Sequence, residues 1–326
     1  RGIAPKPITL NSQLSTLNFP TVLAVGAHLK NAVALSTGAN IFLSQHIGDL
    51  ETEPAYDAFT HIISDFQKLY EATPETIVSD MHPDYLSTRF ARQSTQCGAP
   101  CHAAVQHHVA HVLSCMAEHE LTSPVLGIAW DGNGWGPDNT IWGGEFFDVT
   151  DASIERAAHF RPFRLPGGDK AIREPRRVAA AVLYEMFGAA GLEKLPPTVN
   201  FSATELAALR TMLERRVNSS RCSSVGRLFD AVAALISLRQ HNEFEGQAAM
   251  DLEFALEGIH TREAYPMRFR KSSEPPGSED LVPGVSIHKN RKPLMELDWF
   301  PLIDGSLSDH RNRVAPGEIC ARFHNA

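Results

Sequence analysis

Apolar positions in the first half of the chain switch between short runs and an i, i+3, i+4 spacing, a pattern that predicts strands alternating with helices. Residues 23–27 and 32–35 read as two strands joined by a tight turn through His28, Leu29, Lys30 and Asn31, with a third short strand at 40–44. Phe59, Ile62, Ile63, Phe66 and Leu69 share one helical face and predict a helix over 57–70. A strand follows at 76–80, and His82-Pro83-Asp84-Tyr85 opens another helix with proline near its first turn. Residues 101–106 then read as a strand, 107–119 as a helix, 125–131 as a buried strand, and 140–147 as its hairpin partner.

Beyond Pro166-Gly167-Gly168-Asp169 the spacing becomes helical, with helices predicted at 174–187, 204–218, 226–239, 245–258, 297–307 and 316–324. Residues 271–293, rich in proline, serine and charge, read as an exposed loop or hairpin. This order predicts an α/β chain of two lobes. The first, 1–150, carries two phosphate-type turns; the second, 151–326, is mostly helical and lacks a closing strand.

Candidate chemistry centres on Val105-Gln106-His107-His108-Val109-Ala110-His111. His107 and His111 are four apart, so on a helix both imidazoles project from one face and suit one first-row metal ion. An isolated HxxxH also fits a packed or surface pair. His108 points about 100° away on an ideal helix and fits a packed or supporting residue better than a third ligand. Asp131 ends the predicted strand at 125–131, and the glycines of Asp131-Gly132-Asn133-Gly134-Trp135-Gly136 leave backbone N–H groups able to approach an anion. A plain turn is the alternative for this segment. Asp169 lies at the glycine-rich join and Glu245 at a helix start. Nucleotide contacts and ordinary surface roles fit each of these equally.

With 30 basic and 38 acidic residues the net charge is −8, which argues against nucleic acid as the main partner. No apolar stretch reaches the roughly 18 residues that span a bilayer. Five cysteines form an odd, sparse set suited to a reducing compartment, and Cys97 and Cys101 lack the second pair that a structural zinc site needs.

Seven stretches together resemble the hydrogenase-maturation carbamoyltransferase family, HypF. They are Ala24 to Asn31, Ser44 to Glu51, His82 to Arg89, Val105 to His111, Asp131 to Gly136 with Ile141 to Glu145, Gly226 to Val232, and Asn242 to Ala249. The resemblance implies the large C-terminal module of such enzymes, similar to the universal tRNA threonylcarbamoyl transferases and of actin-like ATPase fold, a duplicated ribonuclease H-like architecture. It further implies a cytoplasmic enzyme. Carbamoyl adenylate, made from carbamoyl phosphate and ATP, passes its carbamoyl group to the C-terminal cysteine of a partner protein, HypE. Family members carry further modules upstream and a closing segment with one more aspartate; both are expected to lie outside this chain.

By position, His107, His111 and Asp131 match the family's metal region, iron or zinc suiting the histidines and Mg²⁺ accompanying ATP. Lys30 and Asp131 are then expected at the chemistry. Lys30, Asn31, Gly132, Asn133, Gly134, Gly136, Asp169 and Glu245 are expected around the nucleotide. Two alternatives from other classes are a non-catalytic nucleotide- or partner-binding remnant of a maturation scaffold, and an O-carbamoyl or threonylcarbamoyl transferase with another acceptor.

Overall fold

The computed structural model describes residues 8–9, 19–95, 100–196, 199–272 and 293–326. Its contacts divide the chain between Ala110 and His111, inside helix α3 (His107–Glu118).

In the first unit, β2 (Val22–Ala24), β3 (Ala34–Thr37) and β4 (Asn40–Leu43) form an antiparallel meander, with Leu23 opposite Leu35 and Leu35 opposite Phe42. The short β1 (Ile8–Thr9) adds to the outer edge of β4. Helix α1 (Glu53–Leu69) starts where Thr52 accepts the N–H of Ala55, and it buries Phe59, Ile63 and Phe66. Strand β5 (Thr76–Asp80) then pairs parallel with β2, and after α2 (Leu86–Ser94) strand β6 (Cys101–Val105) pairs parallel with β5. Parallel neighbours require a crossover, which the two helices supply. The resulting order, β1-β4-β3-β2-β5-β6, is the ribonuclease H-like arrangement, a meander followed by two parallel strands. Leu23, Val25, Leu35, Leu50 and Phe59 are fully buried at its core.

The second unit opens with the antiparallel strands β7 (Val125–Trp135), β8 (Ile141–Val149) and β9 (Ile154–Phe160). β10 (Phe163–Pro166) leads into α4 (Asp169–Arg173), α5 (Pro175–Phe187), a short 3-10 turn, α6 (Ala203–Arg215) and β11 (Ser219–Cys222). α7 (Val225–Leu235), α8 (Gln247–Phe254), β12 (Arg268–Lys271), β13 (Met295–Asp298), α9 (Phe300–Arg311) and α10 (Pro316–His324) complete it. The sheet order is β10-β11-β8-β9-β13-β12, with β7 on β8. α5 packs on α7 through small residues, Ala179 and Ala181 on one helix and Ala231, Ala233 and Ala234 on the other, all buried.

Two expectations differ from the structure, and a third lies largely outside the described residues. Contacts divide the chain at residue 110 where the expected boundary stands at 150: β7 pairs with β8, and β8 with β9 and β11, so both strands belong to the second sheet. Of the expected helix 297–307, the first residues are strand β13, since Leu297 pairs with Phe160 of β9. The expected loop 271–293 lies, but for its ends, outside the described residues, as does Cys97.

Candidate metal centre

Three of the stretches singled out in the sequence meet at the C-terminal ends of the parallel strands of the first unit, where open α/β sheets present their binding groups. After β2 the chain turns at Gly26, whose φ of +67° and close approach to the Ala32 carbonyl leave no room for a side chain. Lys30 follows, exposed and left-handed at φ 49°, its backbone N–H donating to Asp49 Oδ1 at 2.8 Å. Asn31 is buried and its Nδ2 donates to the carbonyls of Val25 and Ala27, so this amide is committed to closing the turn. The Ser44 to Glu51 segment is bound to the same turn by Ile47 N–H to Asn31 O and Leu50 N–H to His28 O. Tyr85 stacks between His28 and His82, at 5.4 and 4.1 Å between ring centroids. Burial of His82 lowers its pKa, the main cause being desolvation of the cation.

One strand over, β6 runs into α3. Gln106 caps that helix, its Oε1 accepting the N–H groups of His108 and Val109 at 2.7 and 3.1 Å. The His108 ring is fully buried with Nδ1 3.1 Å from Gln106 Nε2, a packed supporting residue. His107, His111 and Asp131 are brought together: each offers a ligand atom, and all three lie within 4.8 Å of one another. Two imidazole nitrogens and one carboxylate oxygen form a donor set that suits zinc or iron better than Mg²⁺, so these residues fit the expected ion. Asp80, at the end of β5, was not singled out by the sequence reading. Its Oδ2 lies 2.7 Å from His107 Nδ1.

The glycine segment after Asp131 differs from the expected phosphate loop. β7 continues to Trp135 through a bulge between Trp130 and Gly134. Gly132 donates its N–H to Asp131 Oδ1 at 2.6 Å, Gly134 is paired opposite Trp142, and Gly136 donates to the Thr140 carbonyl at 2.9 Å. The glycines serve close packing instead. A Cβ on Gly136 would sit 2.2 Å from Trp142 Nε1, and one on Gly226 would sit 3.0 Å from the Gly132 Cα. Asn133 is the exposed residue of the bulge.

Comparison with known proteins decides the family. Residues 18–118 match the family described as HypF Kae1-like domain, and residues 127–326 match the one described as Carbamoyltransferase, Kae1-like Domain, second subdomain. The chain belongs to the HypF carbamoyltransferase family. It is 36% identical over 340 residues to carbamoyltransferase HypF of Synechocystis, covering all of this chain and 40% of that protein. It is 40% identical over 254 residues to carbamoyltransferase HypF2 of Cupriavidus necator, covering 78% of this chain and 30% of the other. A crystal structure of full-length HypF in the phosphate- and nucleotide-bound form aligns over 99% of this chain and 46% of its own, with TM-score 0.83 and 34% identity. HypF of T. kodakarensis aligns with TM-score 0.80 and 28% identity, over 99% of this chain and 40% of its own. The chain thus spans less than half the length of these HypF relatives.

The remaining expected residues of this HypF-family chain lie outside the histidine–aspartate group. Asp169 is exposed in the first turn of α4. Glu245 is exposed too, but it precedes α8 instead of starting it, because Gly246 takes the left-handed capping position at φ 77°. Asn242 ties the two regions, its N–H donating to Arg173 O and its Nδ2 to Ile172 O. Behind the β7 bulge stands a pair the sequence reading left unassigned. Arg227 is buried with Nη1 2.9 Å from Asp230 Oδ2, at ion-pair distance but off the hydrogen-bond line, so Nε, Nη1 and Oδ2 have no hydrogen-bond partner. Burial pushes the Asp230 carboxyl up to about 6, with Arg227 pulling the other way. Only Asp230's place within the Gly226 to Val232 stretch could have flagged it. Among the described residues no helix is long and apolar enough to cross a membrane.

Proposed function

We propose that the chain performs carbamoyl transfer in nickel–iron hydrogenase maturation, taking carbamoyl adenylate as donor and the C-terminal cysteine of a HypE-like partner as acceptor. The observation that carries this reading is the His107–His111–Asp131 donor set within a chain of the HypF family. The relative solved in a phosphate- and nucleotide-bound form supports a nucleotide ligand, and in the full-length enzyme carbamoyl phosphate and ATP would supply the adenylate.

An ion at this donor set supplies Lewis acidity toward a carbonyl or phosphate oxygen. The ammonium of Lys30, exposed at the tip of its turn, offsets phosphate charge, and the buried Asn31 holds that turn in shape. Asp131 positions the reacting end, with Gly132, Asn133, Gly134 and Gly136 shaping the bulge beside it. Asp169 and Glu245 meet the nucleoside. In the transfer the partner's thiolate sulfur bonds to the carbamoyl carbon, the bond from that carbon to the phosphate oxygen breaks, and AMP leaves with the electron pair.

The chain's own buried thiols are poor nucleophiles. Burial pushes Cys222 up to about 12 and Cys320 up to about 11. The free thiols of Cys101, Cys115, Cys222 and Cys320 support a reducing, cytoplasmic setting.

The test supplies synthetic carbamoyl adenylate and a peptide ending in cysteine. Gain of one carbamoyl group by the peptide thiol, lost in His107→Ala, supports the reading. Binding of the adenylate without transfer would favour a non-catalytic remnant. Carbamoylation of a hydroxyl acceptor in place of the thiol would favour an O-carbamoyl transferase.

A further inference from the structure

We propose that Asp80 is a positioning residue for the metal centre, fixing the ring of His107 so that Nε2 is its ligand atom. The proposal rests on the reading above that His107 binds a metal ion.

Asp80 is the last residue of β5, and the parallel register sets it beside Val105, two residues before His107. Its carboxylate is divided between two donors. Oδ1 accepts the backbone N–H of His82 at 2.7 Å, and Oδ2 lies 2.7 Å from His107 Nδ1. Its carbonyl accepts the hydroxyls of Ser79 and Thr88 at 2.9 and 3.0 Å. The residue is therefore held at both backbone and side chain.

A carboxylate accepts hydrogen bonds and does not donate them, so Nδ1 of His107 carries a proton, and in the neutral imidazole that binds a metal Nε2 carries the lone pair. That selects the ligating nitrogen, orients the ring and makes it a stronger base toward a cation. Charge argues the same way. The Asp80 side chain is only 5% exposed, against 20% for His107. A buried carboxylate is costly without a compensating cation, and a divalent ion on the far side of the imidazole supplies one. The arrangement also gives the His82-Pro83-Asp84-Tyr85 stretch a task. Its first N–H holds Oδ1, and its His82–Tyr85 stack fixes the turn that presents that N–H.

The experiment measures zinc and cobalt(II) affinity by chelator competition on the full chain, metal-free beforehand, for wild type, Asp80→Asn, His107→Ala and the double variant. Asparagine keeps the shape and can still accept from Nδ1–H, but it is neutral. We expect Asp80→Asn to weaken binding on the order of 10-fold, within the range seen when such supporting groups are lost. The cobalt absorption bands should shift, and the substitution should have no further effect in the His107→Ala background. Unchanged affinity and cobalt spectrum in Asp80→Asn would overturn the proposal, as would an equal loss in the His107→Ala background. A wild-type chain that binds neither ion would instead overturn the metal reading on which it rests. Thermal melting of the metal-free proteins separates folding from positioning. Should Asp80→Asn melt far below wild type, Asp80→Glu, which keeps the charge, decides: restored affinity supports the proposal and unrestored affinity overturns it.

Discussion

The hydroxyl of Ser224 donates to the carbonyl oxygen of Asp131 at 2.7 Å while accepting the N–H of Arg227 at 3.1 Å. One fully buried side chain thus caps helix α7 and holds the strand residue that contributes a carboxylate to the candidate metal centre. Ser224→Ala removes both bonds. We expect a loss of about 0.5–2 kcal/mol in stability, the usual range for a missing N-cap. Urea denaturation would measure it, and an unchanged midpoint would refute the role.

Gly143 packs against the same carbonyl. A Cβ there would sit 2.6 Å from Asp131 O and 2.9 Å from Ser224 Cβ, so strand or helix must shift. Gly143→Ala is expected to destabilise the second unit by about 1–3 kcal/mol, the usual range for overpacking. Weaker zinc binding should accompany it, since the displaced group belongs to the Asp131 backbone. A variant that keeps both its melting temperature and its zinc affinity would contradict this close-approach account.

His111 is an exposed residue of α3, whereas His107 is half-buried. His111→Ala should therefore leave the fold intact and still reduce bound metal to well below one ion per chain. Elemental analysis with circular dichroism on the same sample checks both halves. Full metal occupancy in the variant would remove His111 from the ligand set.

Asp230 has its carboxyl raised to about 6 by burial, above the ordinary value of 3.8. Between those values the folded chain holds a proton that the unfolded chain has released, so this group's contribution to stability falls as pH rises from about 4 to about 6. The two-unit difference corresponds to about 3 kcal/mol at full ionisation, as an order of magnitude. Relative to wild type, Asp230→Asn should gain stability across that window and level off above it. Denaturation midpoints compared at several pH values test this, and a pH-independent difference would count against the buried-acid assignment.

Leu126, Ile128 and Trp130 alternate along β7 and are all exposed. Ile128→Lys should leave both melting temperature and zinc affinity unchanged, because residue 128 points to the opposite face from Gly127, which packs on Val112 of α3. A clear drop in the melting temperature would contradict its exposed placement.

Periodicity made much of the chain legible. α1, α3, α5 and α10 lie within a few residues of where their apolar spacing puts them, because each buries one face and leaves the other wet. The histidine pair was readable for the same reason: a four-residue spacing on one helix is a local property. The Asp131 to Gly136 stretch is ambiguous in sequence, because glycines allow anion-approaching turns and close packing alike. Only the partners of Gly136 and Gly226 distinguish the two. The short strands β9 to β12 carry no clear local period, and β13 falls inside an apolar run that also fits a helix. Pairing alone defines them.

The sequence by itself determined the alternating α/β order, the HypF-type stretches and the two histidines on one helix face, since these depend on residues near one another in the chain. Tertiary structure alone decided that Asp131 joins them within 4.8 Å and that Asp80 lies 2.7 Å from His107. It also decided that Ser224 secures Asp131 from 93 residues away. Such relationships follow from strand register and helix packing between distant segments, and no local pattern encodes them.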